Sequence, residues 1–329
     1  MLKTGLSNTH RQRIFFSLAL LVLCLGIVEI TAQEQPEEVS FGIFGDLPYN
    51  TEEEAVFPLL IADMNRDQEL HFVVHVGDFK NGSHTPCSDE VFLRAKGWLN
   101  LSRHPLIYTP GDNEWTDCHR LGLGRYDPVE RLAKLREIFF QGEQSLGQKT
   151  MPLTRQSREP AYAKFRENAR WMMEKVVFAT LHIVGSNNNL GRTAEGDAEY
   201  EQRMAATIPW MREAFAIASA QKMDGVVLIM HADPRFEREP ERRTGFNVFL
   251  TELETQVLAF EKPVLLVHGD THSFRVDKPL LSKTSKRPIE NLTRLETFGS
   301  PESHWVKVTI DRRDPNLFKI KQRIHRTDR

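Results

Sequence analysis

Four times in this chain a short apolar run ends in the same two residues: Gly45-Asp46, Gly77-Asp78, Gly111-Asp112 and Gly269-Asp270. With 19 glycines and 16 aspartates among 329 residues, chance would give about one Gly-Asp pair, wherever it fell. A glycine at a strand end lets the backbone turn sharply or approach a ligand closely. The carboxylate after it then stands at the carboxyl end of a strand, where open α/β sheets bind ligands. The repetition therefore asks for several strands that finish at one edge.

The rest of the sequence supplies such strands. Val39–Phe44, His71–Val76, Leu106–Thr109, Val176–Val184, Gly225–Met230 and Pro263–Val267 are short runs rich in Val, Ile and Phe, as buried strands are. Helical signals lie between them. Thr51 and Glu54 read as a capping box before Phe57, Leu60, Ile61 and Met64, with Pro58 expected to kink or delay that helix. Asp127, Pro128 and Glu130 give an N-cap, a proline at the first position and an acidic first turn. Further helices are expected over Asp197–Gln221 and Asn247–Phe260, and a closing hairpin over Val306–Ile310 and Phe318–Ile320 around Asp314-Pro315-Asn316. No linker, repeat or composition shift interrupts residues 39–325, which read as a single layered α/β domain.

A fifth strand end carries a histidine, Met230-His231, and the Gly269-Asp270 pair is followed by Thr271-His272. Gathered at one edge, Asp46, Asp78, Asp112 and Asp270 would raise one another's pKa strongly unless something positive sat among them. Divalent cations remove that cost, and a mixed Asp/His set suits Zn, Mn or Fe better than Ca or Mg.

The order of these motifs resembles the five blocks of the calcineurin-like metallophosphoesterases. Gly-Asp, Gly-Asp, Gly-Asp-Asn-Glu, a strand-end His and Gly-x-x-His follow one another from about residue 40 to 310. The resemblance implies a four-layered α/β/β/α sandwich and two divalent or trivalent metal ions. A hydroxide bridging those ions would attack the phosphorus of a phosphate ester. By position, Asp46 resembles the first-block ligand of metal one and Asp78 the carboxylate bridging both metals. Asp112 stands in the place of the family's amide ligand, and His231 matches the fourth-block ligand of metal two. Asp270 and His272 occupy the two last-block histidine positions, serving metals two and one.

This sequence also departs from the family. Pro48 replaces the first-block histidine and has no donor atom in its side chain; Tyr49, next along, is either a phenolate ligand or a tyrosine lining the pocket. Lys80, in the second block, either contacts a substrate phosphate as a point charge or offsets the carboxylates. Asn113 replaces the catalytic histidine, so leaving-group protonation from that position, typically worth 10²–10⁴-fold, is lost. Its expected catalytic role is a hydrogen bond to a phosphate oxygen. His84 and His119 are substitute acids or solvated loop histidines. Asp270 in place of histidine gives metal two a more oxygen-rich set, towards Mn or Fe. Asn187, Asn188 and Asn189 either reach the pocket rim or form a polar turn.

The first 32 residues read as a signal peptide: Lys3, Arg11 and Arg13 precede an uncharged apolar run from Ile14 to Val28, and Ala32 suits signal peptidase. That run is shorter than the roughly 20 residues a spanning helix needs, though an uncleaved anchor is the rival reading. Cleavage implies a secreted or periplasmic protein without stable membrane insertion, and leaves Cys87 and Cys118 as the remaining cysteines. They follow the second and third blocks, whose loops leave the same sheet edge, so a disulfide between them is expected. The net charge of −2, from 43 basic and 45 acidic residues, lacks the basic excess of nucleic-acid binders. The expected partner is a small-molecule phosphoester. The alternative is a secreted metal-binding protein of the same fold that has lost hydrolysis, which Pro48, Asn113 and Asp270 favour.

Overall fold

The structure, a computed structural model, describes residues 38–325. The expected signal segment, residues 1–32, lies outside them. Among the described residues twelve strands form two mixed sheets. In the first, β1 (Val39–Phe44), β2 (Leu70–His75) and β3 (Leu106–Tyr108) run parallel, β11 (Trp305–Ile310) pairs antiparallel with β1, and β12 (Phe318–Arg323) pairs antiparallel with β11, in the order β12-β11-β1-β2-β3. Parallel pairing sends the chain after β1, β2 and β3 out of the same edge. That edge carries Asp46, Asp78 and Asp112.

The second sheet has the order β4-β5-β6-β7-β8-β10-β9. Its centre is β6 (Val176–Thr180), β7 (Gly225–Ile229), β8 (Val264–His268) and β10 (Leu292–Glu296), all parallel. Antiparallel edges are β4 (Thr154–Arg155) with β5 (Ala169–Met173), and β9 (Arg275–Asp277). His231 follows β7 and Asp270 follows β8, so this sheet also delivers its ligand candidates from carboxyl ends.

Three apolar clusters hold the elements. One joins the two sheets: Phe41 and Phe72 from the first stack at 5.0 Å and meet Phe178 of the second edge-on at 5.5 and 5.3 Å, the geometry aromatic rings favour. Another packs α1 (Thr51–Arg66), α2 (Asp89–Leu99) and α3 (Pro128–Phe139) on the first sheet through Phe57, Leu60, Phe92, Leu132 and Leu135. The last packs α4 (Ala194–Ala220) and α5 (Asn247–Phe260) on the second through Met211, Phe215, Phe249 and Leu253.

Local rules account for the helix starts, with two adjustments. The cap of α1 is one residue earlier than expected: Asn50 accepts from the Glu53 amide, and the Glu53 carboxylate accepts in return from the Asn50 side chain and the Tyr49 amide. Pro58 does not delay the helix, which begins seven residues before it and runs through it. Burial of Phe57, Leu60, Ile61 and Met64 on one face outweighs the one backbone bond proline lacks. Asp127 and Pro128 start α3 as expected, and the terminal hairpin forms as β11 and β12.

Candidate metal centre

Each ligand candidate sits just beyond a strand, and four of the six hold a left-handed backbone: Asp46 (φ 54°), Asp78 (φ 57°), Asp270 (φ 79°) and His272 (φ 64°). That conformation is unfavourable for residues with a Cβ and concentrates at functional sites. Glycine makes the crowding possible. A Cβ on Gly111 would lie 1.9 Å from Asp78 Oδ1, and one on Gly269 would lie 2.1 Å from Asp46 Oδ2.

The side chains form two groups that could hold a metal ion. Asp46, Asp78 and His231 offer ligand atoms within 4.8 Å of one another, and so do Asp112, His231 and Asp270. His231 belongs to both. Its Nδ1 donates to the Val76 carbonyl at 2.9 Å, which turns Nε2 toward Asp112 Oδ1 (3.0 Å), Asp78 Oδ2 (3.6 Å) and Asp270 Oδ1 (4.0 Å). A ring nitrogen anchored on a carbonyl is how ligating histidines are usually oriented. His272 repeats the device, with Nδ1 on the Ser300 carbonyl at 2.7 Å, but reaches only Asp46, at 3.8 Å from Nε2 to Oδ1. It stands outside both groups.

The electrostatics suit a cation. Burial raises the Asp46 and Asp78 carboxyls well above the usual carboxylate range; His231 opposes that, while Asp270 reinforces it at Asp46 and Asp112 at Asp78. Burial, then Asp112, pushes Asp270 up to about 7. Burial would discharge His231, yet Asp78, Asp112 and Asp46 outweigh it and hold the imidazole protonated well above its ordinary value. Asp112 is kept low against its burial by hydrogen bonds from His231 and Ser186. One imidazolium cannot balance four carboxylates, so the protein alone must leave some of them protonated. Oxygen and imidazole donors at this spacing could hold a metal ion.

Around the ligands the expectations divide. Tyr49 reaches the site: its hydroxyl donates to Asp78 Oδ2 at 3.0 Å and accepts from Asn113 Nδ2 at 3.1 Å, and its ring meets His272 edge-on. Asn113 spends its amide on Tyr49 and on the Lys80 carbonyl, while its backbone amide donates to Asp78 Oδ1. Lys80 is 1% exposed, and its ammonium donates to the carbonyls of Asn81 and Asn113, each at 2.8 Å. Of the two roles written for it, that position favours offsetting the carboxylates over contacting substrate. Burial lowers it to about 8 despite Glu114 and Asp78.

Cys87 and Cys118 are bonded, with Cα atoms 5.8 Å apart. Both sulfurs lie beneath the Asn113 carbonyl, at 3.5 and 3.7 Å. His84 and His119 are exposed on loops, with ring contacts to Ser83 and Asn81 and to the Thr116 carbonyl respectively.

Of the two readings for Asn187, Asn188 and Asn189, the structure shows the polar turn. Residues 186–189 form a left-handed turn with φ between 50° and 66°. The Asn187 and Asn188 side chains bond outward to Thr244 and Gly245, and Asn189 bonds Glu199. It is Ser186 that reaches the site, its hydroxyl between Asp112 Oδ2 (2.7 Å) and Asp117 Oδ1 (2.9 Å). Nothing in the sequence singles out Ser186, because no motif surrounds it. The one available signal was Gly185, where a Cβ would lie 2.6 Å from Asp112 Oδ1.

No protein-family model matches the chain, and no curated protein matches it. Solved structures do. One of PhoD superposes with a TM-score of 0.53 at 13% identity, over 84% of this chain; the chain spans 64% of that chain's length. GAP50, the anchor in the inner membrane complex of Plasmodium, superposes with a TM-score of 0.49 at 10% identity, over 88% of this chain and 90% of that one. The likeness to PhoD is one of fold, a mixed α/β arrangement of two sheets and their helices. No helix among the described residues is long and apolar enough to cross a membrane.

Proposed function

We propose that this chain is a metal-dependent phosphoric ester hydrolase of the calcineurin-like kind, acting on small-molecule phosphoesters. The observation that carries the reading is the pair of donor groups sharing His231, assembled from the carboxyl ends of both sheets. Asp46, Asp78, Asp112, His231, Asp270 and His272 would hold two metal ions of the Mn, Fe or Zn type. When bound, such ions supply Lewis acidity, neutralising phosphoryl oxygens and acidifying a water.

The chain's own groups prepare that site. Asp78 belongs to the first donor group and lies 3.6 Å from the shared His231 Nε2, steadied by the Asn113 amide and the Tyr49 hydroxyl. Asn113, where the family has its catalytic histidine, serves as a hydrogen-bond donor. A phosphate oxygen entering beside it would compete with Tyr49 for its outer amide hydrogen. Lys80 and Tyr49 act beneath and beside the carboxylates.

The proposed architecture is the four-layered α/β/β/α sandwich, which the three apolar clusters support: one between the sheets, one beyond each. Residues 39–325 would be one domain, behind a cleaved signal peptide at 1–32. The disulfide supports a secreted or periplasmic location. Nucleic acid and stable membrane insertion are not part of the proposal.

Stripping the protein with a chelator and restoring Mn, Fe or Zn tests this, with an aryl phosphate monoester and diester as substrates. Turnover should vanish on stripping, return with metal, and fall at least about 10³-fold in Asp78→Asn. Absence of turnover with every metal, alongside stoichiometric metal binding, would instead favour the second reading, a metal-binding protein without hydrolysis. The amide occupying the third block, with its hydrogens on Tyr49 and Lys80, is the observation on that side.

A further inference from the structure

Beyond Asp112 the cluster borders a second, cationic feature built on Asp117. This aspartate is 2% exposed; Ser186 bridges it to Asp112, and Arg120 Nη1 pairs with it at 2.8 Å. Arg120 also donates from Nη1 to the Gly82 carbonyl at 2.7 Å. A Cβ placed on Gly82 would lie 2.2 Å from Asn113 Oδ1 and 3.3 Å from Arg120 Nη1, so the guanidinium borders the residue in the catalytic position.

Arg192 arrives from another segment, the turn before α4, with Nη2 on Asn189 Oδ1 at 2.8 Å. It is exposed, and the Asn189 that holds it belongs to the left-handed turn whose Ser186 bonds Asp117.

Arg120 thus pairs with a carboxylate that a serine already bonds, and Arg192 is anchored on that serine's turn. Among the described residues, Nε and Nη2 of Arg120 and Nε and Nη1 of Arg192 have no hydrogen-bond partner, and the Arg120 side chain is 47% exposed. The structural arginines differ. Arg203 is fully buried and places Nε, Nη1 and Nη2 on Glu199, His182 and Asn188. A guanidinium with its fork unspent beside a phosphoester site is suited to bidentate contact with a second anion.

We propose that Arg120 and Arg192 form a subsite for a second phosphate of the substrate, so that the preferred class is a diphosphate-bearing phosphoester. The inference rests on the hydrolase reading above and deepens it. Ser186 and Asp117 tie this subsite to the ligand Asp112. The reacting phosphate occupies the Asp/His cluster, and the neighbouring one lies against the guanidinium pair.

The test uses the purified, Mn-loaded protein and titration calorimetry with inorganic pyrophosphate and orthophosphate. Wild type is expected to bind pyrophosphate at least about tenfold more tightly, and Arg120→Gln and Arg192→Gln should each reduce that ratio by about tenfold, the worth of one charged hydrogen bond. A ratio near one in wild type, or one unchanged in both variants, overturns the subsite. Arg120 supports the Asp117 loop, so if Arg120→Gln fails to fold, the exposed Arg192 decides alone. Loss of aryl phosphate turnover with the pyrophosphate preference intact would remove the hydrolase reading and leave the subsite standing. Turnover without the preference does the opposite.

Discussion

Gly111 shows how much a missing side chain can decide. A Cβ there would press on Asp78 Oδ1 at 1.9 Å and on the Asp78 amide nitrogen at 2.6 Å, and the backbone atom cannot rotate away. Gly111→Ala is therefore expected to weaken metal affinity at least about tenfold and to destabilise by about 1–3 kcal/mol, as overpacking does. Gly97 is the contrast: it lies inside α2, and a Cβ there would meet nothing within 4 Å. Gly97→Ala should stabilise by about 0.5–1 kcal/mol. Urea unfolding of both variants, with metal titration of the first, checks the pair; equal effects would contradict the geometry. The same contrast explains what was legible. Asp46, Asp78, Asp112 and Asp270 announce themselves because each needs a glycine beside it at a strand end. The Ser186 contact with Asp112 and the Ser300 contact with Glu53 span 74 and 247 residues of sequence, and no local rule marks them. The two roles open to Lys80 divide on the direction of its ammonium, onto the Asn81 and Asn113 carbonyls, and charge is visible in sequence where direction is not.

Elements were legible where burial and composition agree. β1, β6, β7 and β8 are predominantly apolar and buried along their whole length. β10 escaped, since Leu292–Glu296 carries Arg294 and Glu296, both 0% exposed. Arg294 is matched by Asp277 and Glu237, and Glu296 by Arg275, and pairing of that kind can hide a buried strand inside a polar sequence. Long-range pairing also governs the disulfide. It ties the segment before α2 to the short turn Thr116–His119, across a separation of 31 residues. Closing a loop of that length is worth about 3–4 kcal/mol in the chain-entropy account. Cys87→Ser with Cys118→Ser should lower the unfolding free energy from urea titration by that amount. Metal affinity should fall with it, because the bridge underlies the Asn113 peptide that donates to Asp78. A loss under about 1 kcal/mol with metal binding intact would mean that the packing of α2 and α3 fixes those loops without the bridge.

For the whole molecule, pH sets two kinds of buried group against each other. Burial raises Asp46, Asp78 and Asp270, the last to about 7 from 3.8. A carboxyl raised on folding holds protons more tightly in the native state, so its contribution is full below 3.8 and is lost as pH rises through the folded value. His75 has the opposite sense. Burial among Phe44, Phe57 and Tyr108 lowers it to about 3, so its contribution is present above 6.5 and is lost as pH falls toward 3. Glu167 joins it: burial would raise this carboxyl, but Arg136 and His182 hold it below its ordinary 4.5, and its contribution is lost on further acidification. His75 and Glu167 act equally in stripped and loaded protein, so the difference between the two isolates the site. A cation replaces the protons that Asp46, Asp78 and Asp270 otherwise keep. The gain in Tm on adding metal at about a hundredfold excess over Kd should therefore reach roughly 5–10 °C at pH 8 and shrink toward zero at pH 5. Asp270→Asn removes the group at about 7 and should make the stripped protein less sensitive to pH between 5 and 8. Scanning calorimetry across that range decides it: a metal-induced shift of the same size at both ends would show that these carboxylates are not what the cation neutralises.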